Sequence, residues 1–84
     1  MQQLDEENLL KLSKKIKSLR MAKSKSLNKF VFDRGYLTTA TWSRIENGKF
    51  DIKFSTLLRI ARMLDLTVSE LVSGVNFDYK FLDN

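Results

Sequence analysis

The 84-residue chain contains no cysteine, no histidine and no proline, and only three glycines. Without cysteine there is no disulfide and no thiolate to bind a metal or attack a substrate. Without histidine the commonest general base and the commonest zinc ligand are both missing. The many serines and threonines then lack a plausible activating base and read as caps or solvated side chains. No enzyme, no metal site and no cofactor is expected. The absence of proline and scarcity of glycine favour helix, whose interior excludes both. No apolar run approaches the roughly 20 residues that span a bilayer. The acids Asp5, Glu6 and Glu7 stand where a secretory signal would be apolar, so a cytoplasmic soluble protein is expected.

What is present is positive charge, unevenly placed. The formal net charge is +5. Residues 1–10 carry three acids and no base. Residues 11–34 carry nine bases (Lys11, Lys14, Lys15, Lys17, Arg20, Lys23, Lys25, Lys29, Arg34) against Asp33 alone, and the remainder is balanced at six of each sign. A basic block is commonly only a solvated face. Placed just before a candidate recognition helix, it also suits a polyanion.

Apolar spacing predicts five helices. Leu9, Leu12, Ile16 and Leu19 form one stripe over residues 4–22, with acids at its start and lysines toward its end, as the helix dipole prefers. Ser24 or Ser26 can cap a second helix to about Arg34, closed by Gly35, with Leu27, Phe30 and Val31 inward. Phe32 falls outside that face; it packs on the tail or a partner subunit, or stands at a frayed edge. A third helix, residues 38–47, has Thr38 as N-cap, a Leu37–Trp42 staple and a stop at Gly48. Trp42 and Ile45 point inward, leaving Thr39, Ala40, Ser43 and Arg44 outside. Asp51 is the expected cap of a fourth helix over residues 53–64, with Leu57, Ile60, Ala61 and Leu64 buried. Thr67-Val68-Ser69-Glu70 reads as a capping box for a short fifth helix ending at Ser73-Gly74, with Leu66 and Leu71 as its staple. In the tail, Val75, Phe77, Tyr79 and Phe81 alternate with Asn76, Asp78 and Lys80, which is strand spacing. The tail either pairs with its copy in a second subunit or lies extended over the core. Residues 1–74 are thus expected as one domain and 75–84 as an extended tail and candidate dimerisation element.

Thr41-Trp42-Ser43-Arg44-Ile45-Glu46-Asn47-Gly48-Lys49 is similar to the end of the recognition helix in the Cro/C1-type (XRE-like) helix-turn-helix family. Ile16 through Arg20 resembles the end of that family's first helix, and Leu57 through Leu64 followed by Val68-Ser69-Glu70-Leu71 resembles its fourth and fifth. The resemblance covers about residues 11–73. It implies an all-α, compact five-helix, lambda-repressor-like bundle. It also implies a pairing of Arg20 with Glu46 as a brace between the first and third helices. Two departures stand out. Leu27 and Asn28 occupy positions where the family usually has a glutamine, and the run from Phe30 to Trp42 is about one residue longer.

The function implied is sequence-specific binding of double-stranded DNA by a transcriptional regulator, a repressor in much of the family. Thr39, Ala40, Ser43 and Arg44 are the candidates for base contact, and Arg44 can fork two hydrogen bonds to a guanine. Candidates for phosphate contact are Lys25, Ser26, Asn28, Lys29, Thr38, Thr41 and Lys49. A module of this size reads only a few base pairs, so a homodimer on a palindromic site is expected. The alternatives are an antitoxin or restriction-modification controller with a protein partner, and a protein-interaction module on the same scaffold.

Overall fold

The computed structural model describes residues 3–80, with side chains from residue 5 onward. Five α-helices follow one another: α1 (Gln3–Lys23), α2 (Leu27–Arg34), α3 (Thr39–Glu46), α4 (Phe54–Met63) and α5 (Val68–Val72). There is no strand among the described residues.

The core is a single cluster built from all five helices. Ile16 of α1, Phe30 of α2, Trp42 and Ile45 of α3, Ile60 and Met63 of α4 and Leu71 of α5 are each fully buried. Burying a side chain of this size contributes about 1.5–3 kcal/mol. In α1 the centre of the apolar stripe, Leu12 and Ile16, is buried, whereas Leu9 and Leu19 are half-buried. α4 buries Thr56 and Met63 in addition to Ile60 and Ala61, while Leu57 is half-buried.

The helix ends follow local chemistry closely. Ser26, rather than Ser24, caps α2, its Oγ accepting from the Lys29 amide at 3.2 Å. Thr67 and Glu70 make both bonds of a capping box at the start of α5. Glu70 is held below the usual carboxylate range by the Thr67 amide and hydroxyl. α3 ends in a Schellman motif: the Gly48 amide bonds to the Ile45 carbonyl and the Lys49 amide to that of Arg44. Gly48 takes the left-handed φ of 68° that this motif needs. α4 ends the same way, but its left-handed residue is Asp65, at φ 58°. There a carboxylate replaces the usual glycine, and Lys23 pairs with it at 3.2 Å.

The start of α4 differs from expectation. Lys53 occupies the N-cap and makes no side-chain cap bond, and Asp51 is exposed two residues upstream. Half-buried Ile52, packed on the core, holds this connection instead.

The tail lies extended along α1. Asn8 and Asp78 exchange two hydrogen bonds of 2.9 Å, Asn8 Nδ2 to the Asp78 carbonyl and the Asp78 amide to Asn8 Oδ1. Lys11 Nζ donates to the Asn76 carbonyl at 2.9 Å and Lys15 Nζ to that of Ser73 at 2.5 Å. Side chains of α1 thereby satisfy tail backbone groups that a neighbouring strand would otherwise have to satisfy. Phe77 packs on the core edge, Val75 is half-buried and Tyr79 is exposed. Phe81 lies outside the described residues.

Candidate nucleic-acid interface

α2 and α3 are joined by the turn at residues 35–38. The Phe30 and Trp42 rings meet at 4.9 Å between centroids with planes tilted by 55°, a favourable aromatic geometry that locks the two helices together. Gly35 turns the chain at φ 74°, its amide returning to the Val31 carbonyl. Tyr36 then points out and Leu37 packs on the core. Phe30 and Val31 keep the inward face of α2.

One side chain fixes the pair of helices to α1. Arg20 donates from Nε to Glu46 Oε2 at 2.7 Å and from Nη2 to Glu46 Oε1 at 2.8 Å. Its Nη1 reaches the Ser24 and Lys25 carbonyls, both at 3.1 Å. Arg20 thus ties the end of α3 to the chain entering α2. Only 7% and 5% of the Arg20 and Glu46 side chains are exposed, so the pair is screened little by solvent. Trp42 Nε1 adds a third donor to Glu46, on Oε2 at 2.5 Å. Burial pushes the Glu46 carboxyl up, but the hydrogen bonds from Arg20 and Trp42, with the charges of Arg20 and Lys17, outweigh it and hold the carboxyl low. The Arg20 guanidinium is raised by the same Glu46 bond, against its own desolvation. Trp42 is therefore both the buried anchor of α3 and a ligand of the brace. The tryptophan–glutamate spacing of four carried that signal.

The outer face of α3 is arranged in two rows. Ala40 and Arg44 are exposed, while Thr39 and Ser43 are half-buried at its margin. Arg44 is folded back toward the helix end, with Nη2 donating to the Lys49 carbonyl at 3.4 Å and the guanidinium 5.5 Å from the Phe50 ring centroid. Phe50 thereby gives Arg44 an aromatic platform, which sequence reading left out. Asn47 Nδ2 donates to the Ser43 carbonyl at 2.8 Å.

At the leading end, Thr38 Oγ1 accepts from the Thr41 amide at 3.1 Å and lies 3.0 Å from Thr41 Oγ1, to which it donates. The Thr41 hydroxyl accepts that bond and keeps its own proton to give. The first two amides of each helix, Leu27 and Asn28 in α2 and Thr39 and Ala40 in α3, have no acceptor within their helix. These amides and the positive ends of two helix dipoles favour an anion. Lys25, Ser26, Asn28, Lys29, Thr38 and Lys49 are exposed and Thr41 is half-buried. Leu27 packs on the core.

The basic block divides on folding. Lys11 holds the tail, Lys15 the end of α5, Arg20 holds Glu46, and Lys23 pairs with Asp65. Arg34 donates to the Met63 carbonyl at 2.6 Å and lies 4.6 Å from the Phe30 ring centroid. Lys14, Lys17, Lys25 and Lys29 are left with no hydrogen bond from their ammonium groups among the described residues. Lys25 and Lys29 flank the capped start of α2.

Two capped helices joined by a glycine turn, the second presenting a small polar face with one arginine, define a helix-turn-helix unit. The sequence matches the Cro/C1-type HTH DNA-binding domain over residues 11–75, and the chain belongs to that family. DNA binding is the activity this membership implies. No curated protein and no solved structure matches the chain. No helix of the described residues is long and apolar enough to cross a membrane.

Proposed function

We propose that the chain is a sequence-specific transcriptional regulator that binds duplex DNA as a homodimer, with α3 in the major groove and α2 across the backbone. The observation that carries this reading is the outer face of α3, where small side chains surround Arg44 on a helix fixed from behind by Trp42 and Glu46. Groove entry needs such a slim face, and reading needs a rigid one, because a base contact depends on position to a fraction of an ångström.

In this mechanism Lys25, Lys29 and Lys49 neutralise phosphates. Ser26, Asn28, Thr38, Thr41 and the free leading amides add directional hydrogen bonds that set register. Arg44 swings from the Lys49 carbonyl to a guanine, with Phe50 supporting its plane, and Ser43 contacts a neighbouring base. Thr39 offers a hydroxyl and a methyl, and Ala40 a methyl. A second copy related by two-fold symmetry doubles the site, with half-sites about one helical turn apart. The tail, residues 75–84, is the candidate dimerisation element, and residues 1–74 are the DNA-binding domain.

In vitro selection from random duplex with the purified chain tests this function. The expected outcome is an enriched motif with two-fold symmetry and half-sites about 10–10.5 base pairs apart. Recovery of unenriched duplex would reject sequence-specific regulation.

A further inference from the structure

Phe32 is 87% exposed, more than any other large hydrophobic side chain described. It lies one turn beyond Asn28 on the outer face of α2. With Val31, Asn28, Lys29 and Thr39 it lines an open hollow of about 520 Å³. The floor is apolar. The rim carries one ammonium and one amide from α2, and the first residue of α3 closes the other side.

The occupant follows from that arrangement and rests on the reading of α3 as the groove helix. Asn28, Lys29 and Thr39 line the hollow together, so with phosphates against Asn28 and Lys29, as in the proposed docking, the groove edge of the same strand would pass Thr39 and the hollow. The apolar group that DNA presents at the major-groove edge is the C5 methyl of thymine. We propose that the hollow is a thymine-methyl subsite, that Phe32 is its principal wall, and that it adds specificity at the outer flank of each half-site. The exposed ring then has a use at the α2–α3 junction that neither capping nor core packing supplies.

The test uses the selected duplex, with each thymine replaced in turn by deoxyuridine, which removes only the methyl. Affinities are measured by fluorescence anisotropy for the wild type, Phe32→Ala and Phe32→Leu. For the wild type, one flanking replacement should weaken binding about fourfold, the worth of one buried methyl-sized group. Phe32→Ala should bind the thymine duplex correspondingly more weakly and lose the difference between thymine and uracil at that position alone. Phe32→Leu should keep most of it. Circular dichroism should be unchanged, because the ring is exposed. Equal weakening of thymine and uracil duplexes by Phe32→Ala would replace the subsite with a sugar or backbone contact. Unchanged affinity on every duplex would point to a protein partner, and absence of a flanking thymine from the selected motif would also overturn the inference. Specific binding that ignores uridine replacement removes the subsite alone; absence of specific binding removes the DNA reading itself.

Discussion

Arg20 and Glu46 are far apart in sequence, yet they share two hydrogen bonds and are both almost wholly buried. Removing one partner leaves the other charge buried without compensation, so Arg20→Ala should cost on the order of 3 kcal/mol. The brace also has an acid signature. Its folded carboxyl is depressed below its unfolded value. The stability it contributes is therefore fully present above the unfolded pKa, near 4.3 for a glutamate, and is lost as pH falls through the folded value. Chemical denaturation of the wild type should show stability falling below about pH 4.3. Glu46→Gln should be less stable at neutral pH and should show a shallower acid slope. An identical slope in the two proteins would remove Glu46 from the acid response.

At the scale of elements, the ends of helices were the most legible parts of the sequence. Ser26, Thr38, Thr67 with Glu70, Gly35 and Gly48 act through bonds to residues within a few positions, so their roles are visible in local order. What sequence left open depends on distant partners. The tail alternates like a strand, but α1 bonds to its backbone through Asn8 and Lys11, 70 and 65 residues away. The expected Asp51 cap gave way because α4 starts at Phe54, leaving Asp51 outside the cap position. Of the interface, the outer face of α3 was legible from period alone, whereas the Phe50 platform and the Phe32 hollow arise only when α2, α3 and the following loop come together.

Gly48 shows how tightly one helix end is packed. A Cβ added there would lie 2.5 Å from Leu10 Cδ2, on a backbone with φ +68°. The left-handed conformation alone costs a residue with a side chain about 1–2 kcal/mol. Gly48→Ala should therefore lower the thermal midpoint, and Leu10→Ala in the same chain should relieve the clash while leaving the backbone cost. Full recovery in the double variant would place the whole effect in the contact; no recovery would place it in the backbone.

For the whole molecule, charge and shape divide the work. Five of the nine bases of the early block are engaged in holding the fold: one on the tail, one on the end of α5, one in the brace and two around the end of α4. Under the proposed reading, the footprint for DNA is narrower than composition suggests and concentrates at the start of α2, at Arg44 and at Lys49. Binding should still weaken steeply with salt, since each neutralised phosphate releases condensed counterions.

The central claim, that α3 reads bases while α2 sets register, is most directly tested by comparing Arg44→Ala with Lys29→Ala. Their affinities would be measured on the selected site and on single-base variants of it, across a salt series. Arg44→Ala is predicted to lose about 1–3 kcal/mol on the selected site and to relax preference at about one or two positions. Lys29→Ala is predicted to weaken binding to all sequences alike and to reduce the salt slope by about one. An Arg44→Ala protein with an unchanged base preference, or a Lys29→Ala protein altered at one base position only, would contradict the account.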